Sequence, residues 1–251
     1  MPVTIKSARE IELMAEAGRI LEIVHNELRD ALHAGMSTLD IDRLGEEIIR
    51  SYDCIPSFLN YNGYPASICV SLNQEVVHGI PDKHRLIQDG DIVSLDAGVI
   101  YKGYHSDAAR TYGVGEISKE AKNLMQITKE CFFEGIKYAR EGNHLFDISG
   151  AIGRYAEERG YGVVRDLCGH GIGTALHEAP EIPNYEVGRK GVRLRPGMTL
   201  AIEPMINIGT HEVDWLDDDW TVVTEDGSLA AHYENTIVIT EDGCEILTLS
   251  E

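Results

Sequence analysis

Cysteine is scarce in this 251-residue chain. Cys54, Cys69, Cys131, Cys168 and Cys244 are odd in number, widely scattered and free of any CxxC spacing, so neither a disulfide framework nor a thiolate zinc site is indicated. No apolar run approaches the ~18 residues of a membrane span, and the first fourteen residues are too polar for a signal peptide, so a cytoplasmic protein is expected. Positive charge is also in short supply. Lys and Arg total 22 against 42 Asp and Glu, and the resulting net charge of −20 disfavours the basic footprint of direct nucleic-acid binding, which is not expected. A strand–GxGxxG–helix unit is missing, which removes a dinucleotide-cofactor enzyme. His177-Glu178 is followed by Ala179-Pro180-Glu181, so the zincin helix is absent too. No long apolar heptad seam is present, and a monomer is the default.

What is there is an ordinary globular composition, 43% hydrophobic and 25% charged, which argues against disorder. Superimposed on it is a repeat. Gly90-Asp91-Ile92-Val93-Ser94-Leu95-Asp96 lines up with Gly197-Met198-Thr199-Leu200-Ala201-Ile202-Glu203, and Leu39-Asp40-Ile41 with Phe146-Asp147-Ile148, both at an offset of 107 residues. A turn glycine, an apolar strand and a terminal acid recur in each half. The pattern predicts one domain, 1–251, with halves of about 1–115 and 116–251 whose carboxylates converge near a pseudo-two-fold axis. Converging buried acids repel, and a cation is the simplest remedy.

Ser7-Ala8-Arg9-Glu10 has capping-box spacing and is followed by apolar residues at helical intervals, predicting a helix from there to near Gly35. A second runs from about Ser37 to Ser51, and helices near 118–140 and 144–159 repeat the pair. Strand-like runs follow each pair: Ser67 to Leu72, Ile92 to Ile100 and Tyr104 to Tyr112, then Met198 to Ile208, Thr221 to Thr224 and Thr236 to Thr240. The expected fold class is α+β, a curved antiparallel sheet covered by helices. The acidic run Asp217-Asp218-Asp219 reads as a solvated loop.

The chemistry concentrates in a few places. With Lys102-Gly103 as a two-residue turn, Tyr101 pairs with Tyr104, Gly98 with Asp107 and Asp96 with Ala109. Asp96 and Asp107 then lie diagonally on one face, roughly 7–8 Å apart at Cα, within reach of a shared cation. The alternative is an exposed hairpin with two solvated acids; apolar Ile92, Val93 and Leu95 favour burial. His170 sits among the glycines of Gly169-His170-Gly171-Ile172-Gly173, a pattern that serves either a packed loop or a ligand approached closely by backbone and substrate. Glu203-Pro204 ends the strand equivalent to that of Asp96, and Glu234 precedes another apolar strand.

The set His78-Gly79-Ile80-Pro81, Asp96, Asp107, Gly169 to Gly173, His177-Glu178, Glu203-Pro204 and Glu234 closely resembles the type I methionine aminopeptidases of the bacterial short form, peptidase family M24. The resemblance runs over nearly the whole chain. It implies the pita-bread (creatinase/aminopeptidase) fold and removal of an N-terminal methionine from nascent proteins and peptides when the second residue is small. It places Asp96, Asp107, His170, Glu203 and Glu234 as ligands of two divalent metal ions, with Asp107 and Glu234 bridging. Four carboxylates and an imidazole suit Mn, Fe or Co, with Zn admitted by affinity. Glu203 would accept and shuttle the proton of the attacking water, His177 would stabilise the oxyanion and His78 would hold the peptide beyond the scissile bond. Tyr61, Tyr64, Cys69, Leu176 and Trp220 would wall the methionine slot, although periodicity alone allows them to be ordinary core residues. Nascent polypeptides and short peptides are the implied partners, with transient proximity to the ribosome and no membrane contact.

Local departures from the family pattern are Leu176 in place of a common aromatic, Asn62 and Asn235 in place of frequent histidines, and Ala179 at an often acidic position. They bear on fine substrate preference. Two rivals share the fold: an X-Pro aminopeptidase or prolidase-like hydrolase, and a non-catalytic peptide-binding member, which would be expected to have lost ligands.

Overall fold

The computed structural model describes residues 2–249. The first half contains α1 (Ala8–Ala31), α2 (Thr38–Ser51), β1 (Ile55–Pro56), a 3-10 turn at Tyr61–Gly63, β2 (Ile68–Leu72), β3 (Glu75–Val77), β4 (Ile92–Tyr101) and β5 (Tyr104–Gly113). The second half contains α3 (Lys119–Ile136), α4 (Leu145–Glu157), β6 (Gly162–Val163), β7 (Gly169–Gly171), β8 (Glu178–Ile182), β9 (Thr199–Ile202), β10 (Met205–Asn207), β11 (Val213–Trp215), β12 (Val222–Thr224), β13 (Ala230–His232), β14 (Asn235–Ile239) and β15 (Cys244–Ile246).

The helices begin where side chains can satisfy their first backbone N–H groups. Ser7 and Glu10 form a reciprocal capping box on α1, and Ser37 and Asp40 form another on α2. On α4 the carboxylate of Asp147 accepts a 2.8 Å hydrogen bond from the backbone of His144, as Asp40 does from Ser37 at 3.3 Å. Each such cap contributes about 1 kcal/mol. The 107-residue offset extends beyond these caps. Gly35 and Gly142 both take positive φ, at 89° and 88°, and isolated bridges join Ser37 to Leu86 and His144 to Arg193.

Among the described residues all strand pairings are antiparallel and fall into four sheets. β4 lies between β5 on one side and β1 and β2 on the other, while the second half runs β15-β14-β9-β7-β8. The β4–β5 register is the predicted one, with Tyr101 opposite Tyr104, Gly98 opposite Asp107 and Asp96 opposite Ala109. Lys102 and Gly103 both have positive φ, as a tight hairpin turn with the strands' own twist requires.

One prediction is corrected. The run Met198 to Ile208 is not one strand but β9 and β10, broken at Glu203-Pro204. Pro204 has no N–H for a ladder and restricts the residue before it, so Glu203 leaves the ladder. The short strands β1, β3, β6 to β8, β11, β13 and β15 lack enough alternation to be visible in sequence. Asp218 does not simply face solvent: its carboxylate accepts from the N–H groups of Trp220 and Thr221 and from the Thr221 hydroxyl, ordering the start of β12.

Each half has its own core. In the first, Leu21, Val24, Ile41 and Ile49 of the helices pack on Ile68, Val93 and Leu95; in the second, Leu124, Phe132, Ile148 and Ile152 pack on Leu200, Ile202 and Ile237. The halves join where β14 meets β5. There the Glu234 N–H donates to the Ala109 carbonyl at 2.9 Å, and Thr236 binds the Asp107 backbone.

Candidate active site

At this seam the apolar strand faces end and their acids begin. Asp96 lies within β4, Asp107 on β5, His170 in β7, Glu203 just after β9 and Glu234 just before β14. The ladder sets His170 opposite Ala201 and Asn235 opposite Ile202, so β7, β9 and β14 present His170, Glu203 and Glu234 side by side. Ligating atoms of Asp107, His170 and Glu234 all lie within 4.8 Å of one another. Nε2 of His170 is 3.8 Å from Oδ2 of Asp107 and 3.5 Å from Oε1 of Glu203.

Among the described residues Arg110 offsets part of the charge at Glu234, but burial and the neighbouring acids outweigh it. Asp107, His170 and Glu234 are buried, and Oδ1 of Asp96, Oδ1 of Asp107 and Oε1 of Glu234 have no hydrogen-bond partner. Burial raises Asp107 and Glu234 well above the carboxylate range, and the neighbouring acids push further in the same direction. Asp96 is pushed up to about 7, chiefly by burial, and Glu203 to about 8 by burial. Burial depresses His170 to about 3, leaving a neutral imidazole with Nε2 toward the acids and Nδ1 against the Gly171 carbonyl at 2.9 Å. Four carboxylates and one neutral imidazole with vacant lone pairs are the donor set of a hard divalent cation. Clustered acids at such separations cannot all ionise without one.

Glycines shape the approach. A Cβ on Gly169 would come within 2.4 Å of the Ala201 carbonyl oxygen and one on Gly171 within 2.2 Å of that of Ala179, so β7 can lie this close to its neighbours only without side chains there.

A cleft opens above the cluster, lined by all five of these residues and by His78, His177, Tyr61, Asn62, Tyr64, Cys69, Leu176, Trp220 and Phe58. The predicted slot residues therefore do converge. Cys69 lies directly opposite Asp96 across the β2–β4 ladder, which ties the slot wall to the acid cluster. Tyr64 and Trp220 meet edge to face at 5.1 Å, and the Tyr64 hydroxyl donates to the Gly79 carbonyl at 2.9 Å. Burial holds Cys69 as a thiol. His177 stands at the exposed mouth, its Nδ1 sharing a 2.8 Å hydrogen bond with the Tyr61 hydroxyl and its ring 4.2 Å from that of His170. His78 has a positive φ of 60°, which turns its ring toward Trp220 at 6.3 Å. Asn235 faces away from the cleft and receives hydrogen bonds from Arg110 and Thr248.

Three participants escaped the sequence reading. Phe58 lies in an unpatterned loop. Arg110 donates to the Glu234 carbonyl and fixes the turn that carries this acid. His232 is two residues before Glu234 on an extended segment, and that same-face spacing was a usable signal.

Residues 12–241 match the pattern of Metallopeptidase family M24. The chain is 55% identical to the methionine aminopeptidase of Clostridium acetobutylicum over 99% of its own length and 100% of that protein's. The chain belongs to the methionine aminopeptidases of family M24. The methionine aminopeptidase structure from Thermotoga maritima superimposes with a TM-score of 0.97 at 45% identity, covering 99% of this chain and 100% of that one. A Xaa-Pro dipeptidase from Bacillus anthracis shares the fold more distantly, with a TM-score of 0.78 at 27% identity, and the match spans 62% of its chain. The protein is thus a hydrolase that removes N-terminal methionine, and membership of this metallopeptidase family implies divalent metal ions. The X-Pro and non-catalytic readings give way to this one. Among the described residues no helix is long and apolar enough to cross a membrane.

Proposed function

We propose that Asp96, Asp107, His170, Glu203 and Glu234 hold two divalent ions and that Glu203 moves the proton in methionine removal. The observation that carries this reading is the set of unpartnered carboxylate oxygens on Asp96, Asp107 and Glu234 beside the neutral His170. Metal held there supplies a Lewis acid and a water acidic enough to attack a peptide carbonyl at neutral pH. Asp107 and Glu234, the most deeply buried acids of the cluster, would hold the ions together with Asp96, His170 and Glu203. Mn, Fe or Co suits this oxygen-rich set, and Zn is admitted by affinity.

The remaining steps belong to side chains around the cleft. Tyr64, Cys69, Leu176, Trp220, Phe58 and Tyr61 take the unbranched thioether, whose polarizable sulfur favours aromatic contacts. With the side chain seated, the free amine points to the Asp96 end and the scissile carbonyl toward His177. His177, held by Tyr61, donates to the oxyanion as it develops. Glu203 takes the proton from the attacking water and delivers it to the leaving amine. His78 hydrogen-bonds the peptide beyond the scissile bond, where the narrow cleft admits only a small second residue. We read the chain as one catalytic domain of two halves, acting as a cytoplasmic monomer on nascent chains near the ribosome.

Methionine release from Met-Ala-Ser, measured beside cleavage of Gly-Pro-Ala, with Mn(II) or Co(II) and with a chelator, tests the reading. Metal-dependent release of methionine alone is expected. Undiminished release after exhaustive chelation would overturn the metal assignment, and cleavage of the proline peptide alone would overturn the substrate assignment.

A further inference from the structure

His232 has no role in the reading above, yet its side chain is among the most deeply enclosed polar groups near the site. It is 2% exposed, and neither ring nitrogen has a hydrogen-bond partner. A buried imidazole with both nitrogens unsatisfied is destabilising, so its retention calls for a partner. The ring is not loosely placed. Thr111 Oγ1 accepts from the His232 N–H at 3.0 Å and donates to its carbonyl at 2.9 Å, and Met205, two residues past Glu203, pairs with it across the β10–β13 ladder.

Nε2 of His232 lies 3.7 Å from Oε2 of Glu203, and Nε2 of His170 lies 3.5 Å from the other oxygen, Oε1. Glu203 therefore lies between two imidazoles, one per carboxylate oxygen. We propose that His232 is a positioning residue for Glu203: its Nε2–H binds Oε2 and leaves Oε1 free to serve the metal beside His170. The proposal rests on the assignment of Glu203 given above. A distance of 3.7 Å is too long for a hydrogen bond, and catalytic contacts of this kind tighten when the site is filled. Outer partners that orient a ligand's second atom raise metal affinity and fix the geometry of the reacting group.

Two substitutions separate the N–H from the ring's bulk. His232→Leu fills the space without a donor, and His232→Gln retains a donor near the position of Nε2. The readouts are Mn(II) titration of the metal-free protein by calorimetry, and kcat and KM on Met-Ala-Ser, with circular dichroism to verify the fold. His232→Leu is expected to weaken Mn(II) binding and lower kcat by about 10–100-fold with KM little changed, and His232→Gln to recover most of both. Wild-type Mn(II) affinity and kcat in His232→Leu would overturn the proposal, as would a folded His232→Gln as impaired as the leucine variant. Full activity of Glu203→Gln, assayed in parallel, would sink the role of Glu203 in proton transfer, while the Mn(II) isotherms would still decide whether His232 orients it as a ligand.

Discussion

Thr236 and Asp107, from opposite halves of the chain, exchange two hydrogen bonds: the threonine hydroxyl accepts from the Asp107 N–H and donates to its carbonyl, each at 2.9 Å. Both residues are buried. A single hydroxyl thus substitutes for a ladder rung at the point where the two half-sheets meet, and it fixes the backbone of a central acid of the cluster.

Thr236→Val keeps the shape and strands both backbone groups. It is expected to cost about 2–4 kcal/mol, since each unsatisfied buried group costs roughly 1–3 kcal/mol. Thr236→Ser should restore most of the loss. Chemical denaturation of the three proteins checks this, and equal midpoints for valine and threonine would show that the pair contributes nothing.

Metal loading should release protons. With Asp96 at about 7 and Glu203 at about 8, the metal-free site holds protons at pH 6.5 that metal must displace. Calorimetry in buffers of different ionisation enthalpy is expected to show net release at pH 6.5, declining toward pH 9. These acids are raised above their unfolded values near 4, so their contribution to stability is complete below about pH 4 and is lost as pH rises through 7 to 8. The metal-free protein should therefore lose melting temperature across that window, and saturating Mn(II) should flatten the decline.

Asp107→Asn separates stability from activity. If Asp107 is a direct ligand, as proposed, turnover should fall by more than about a hundredfold, since even outer partners cost 10–100-fold when lost. The metal-free variant at pH 8 should melt at or above the wild-type temperature, since one of several mutually repelling buried acids is gone. A metal-free variant that melts lower would mean that the acids are not repelling one another.

Leu176→Ala is expected to widen the proposed methionine slot. Leu176 is buried against the slot aromatics, and losing about three methylene-sized groups there is expected to reduce kcat/KM for Met-Ala-Ser roughly tenfold or more. Discrimination against Phe-Ala-Ser should narrow at the same time. Unchanged selectivity between the two peptides would place the side chain elsewhere.

The amino-acid sequence by itself determined the repeating half, because the 107-residue offset is written in turn glycines, caps and apolar strands, all of them local signals. It determined the β4–β5 register as well, since a two-residue turn leaves one pairing that keeps Asp96 and Asp107 on one face. The convergence of Asp96 and Asp107 with His170, Glu203 and Glu234 was a different matter: spacing admitted a solvated hairpin and a packed histidine, and the resemblance to a family supplied the ligand set. Tertiary structure alone decided that the lone pairs of these acids are buried and unpartnered, because desolvation depends on what packs around a group and not on its neighbours in sequence. It also decided the place of His232. The two-residue spacing from Glu234 hinted at a shared face, but that His232 meets Glu203 follows from the pairing of β10 with β13, a long-range contact.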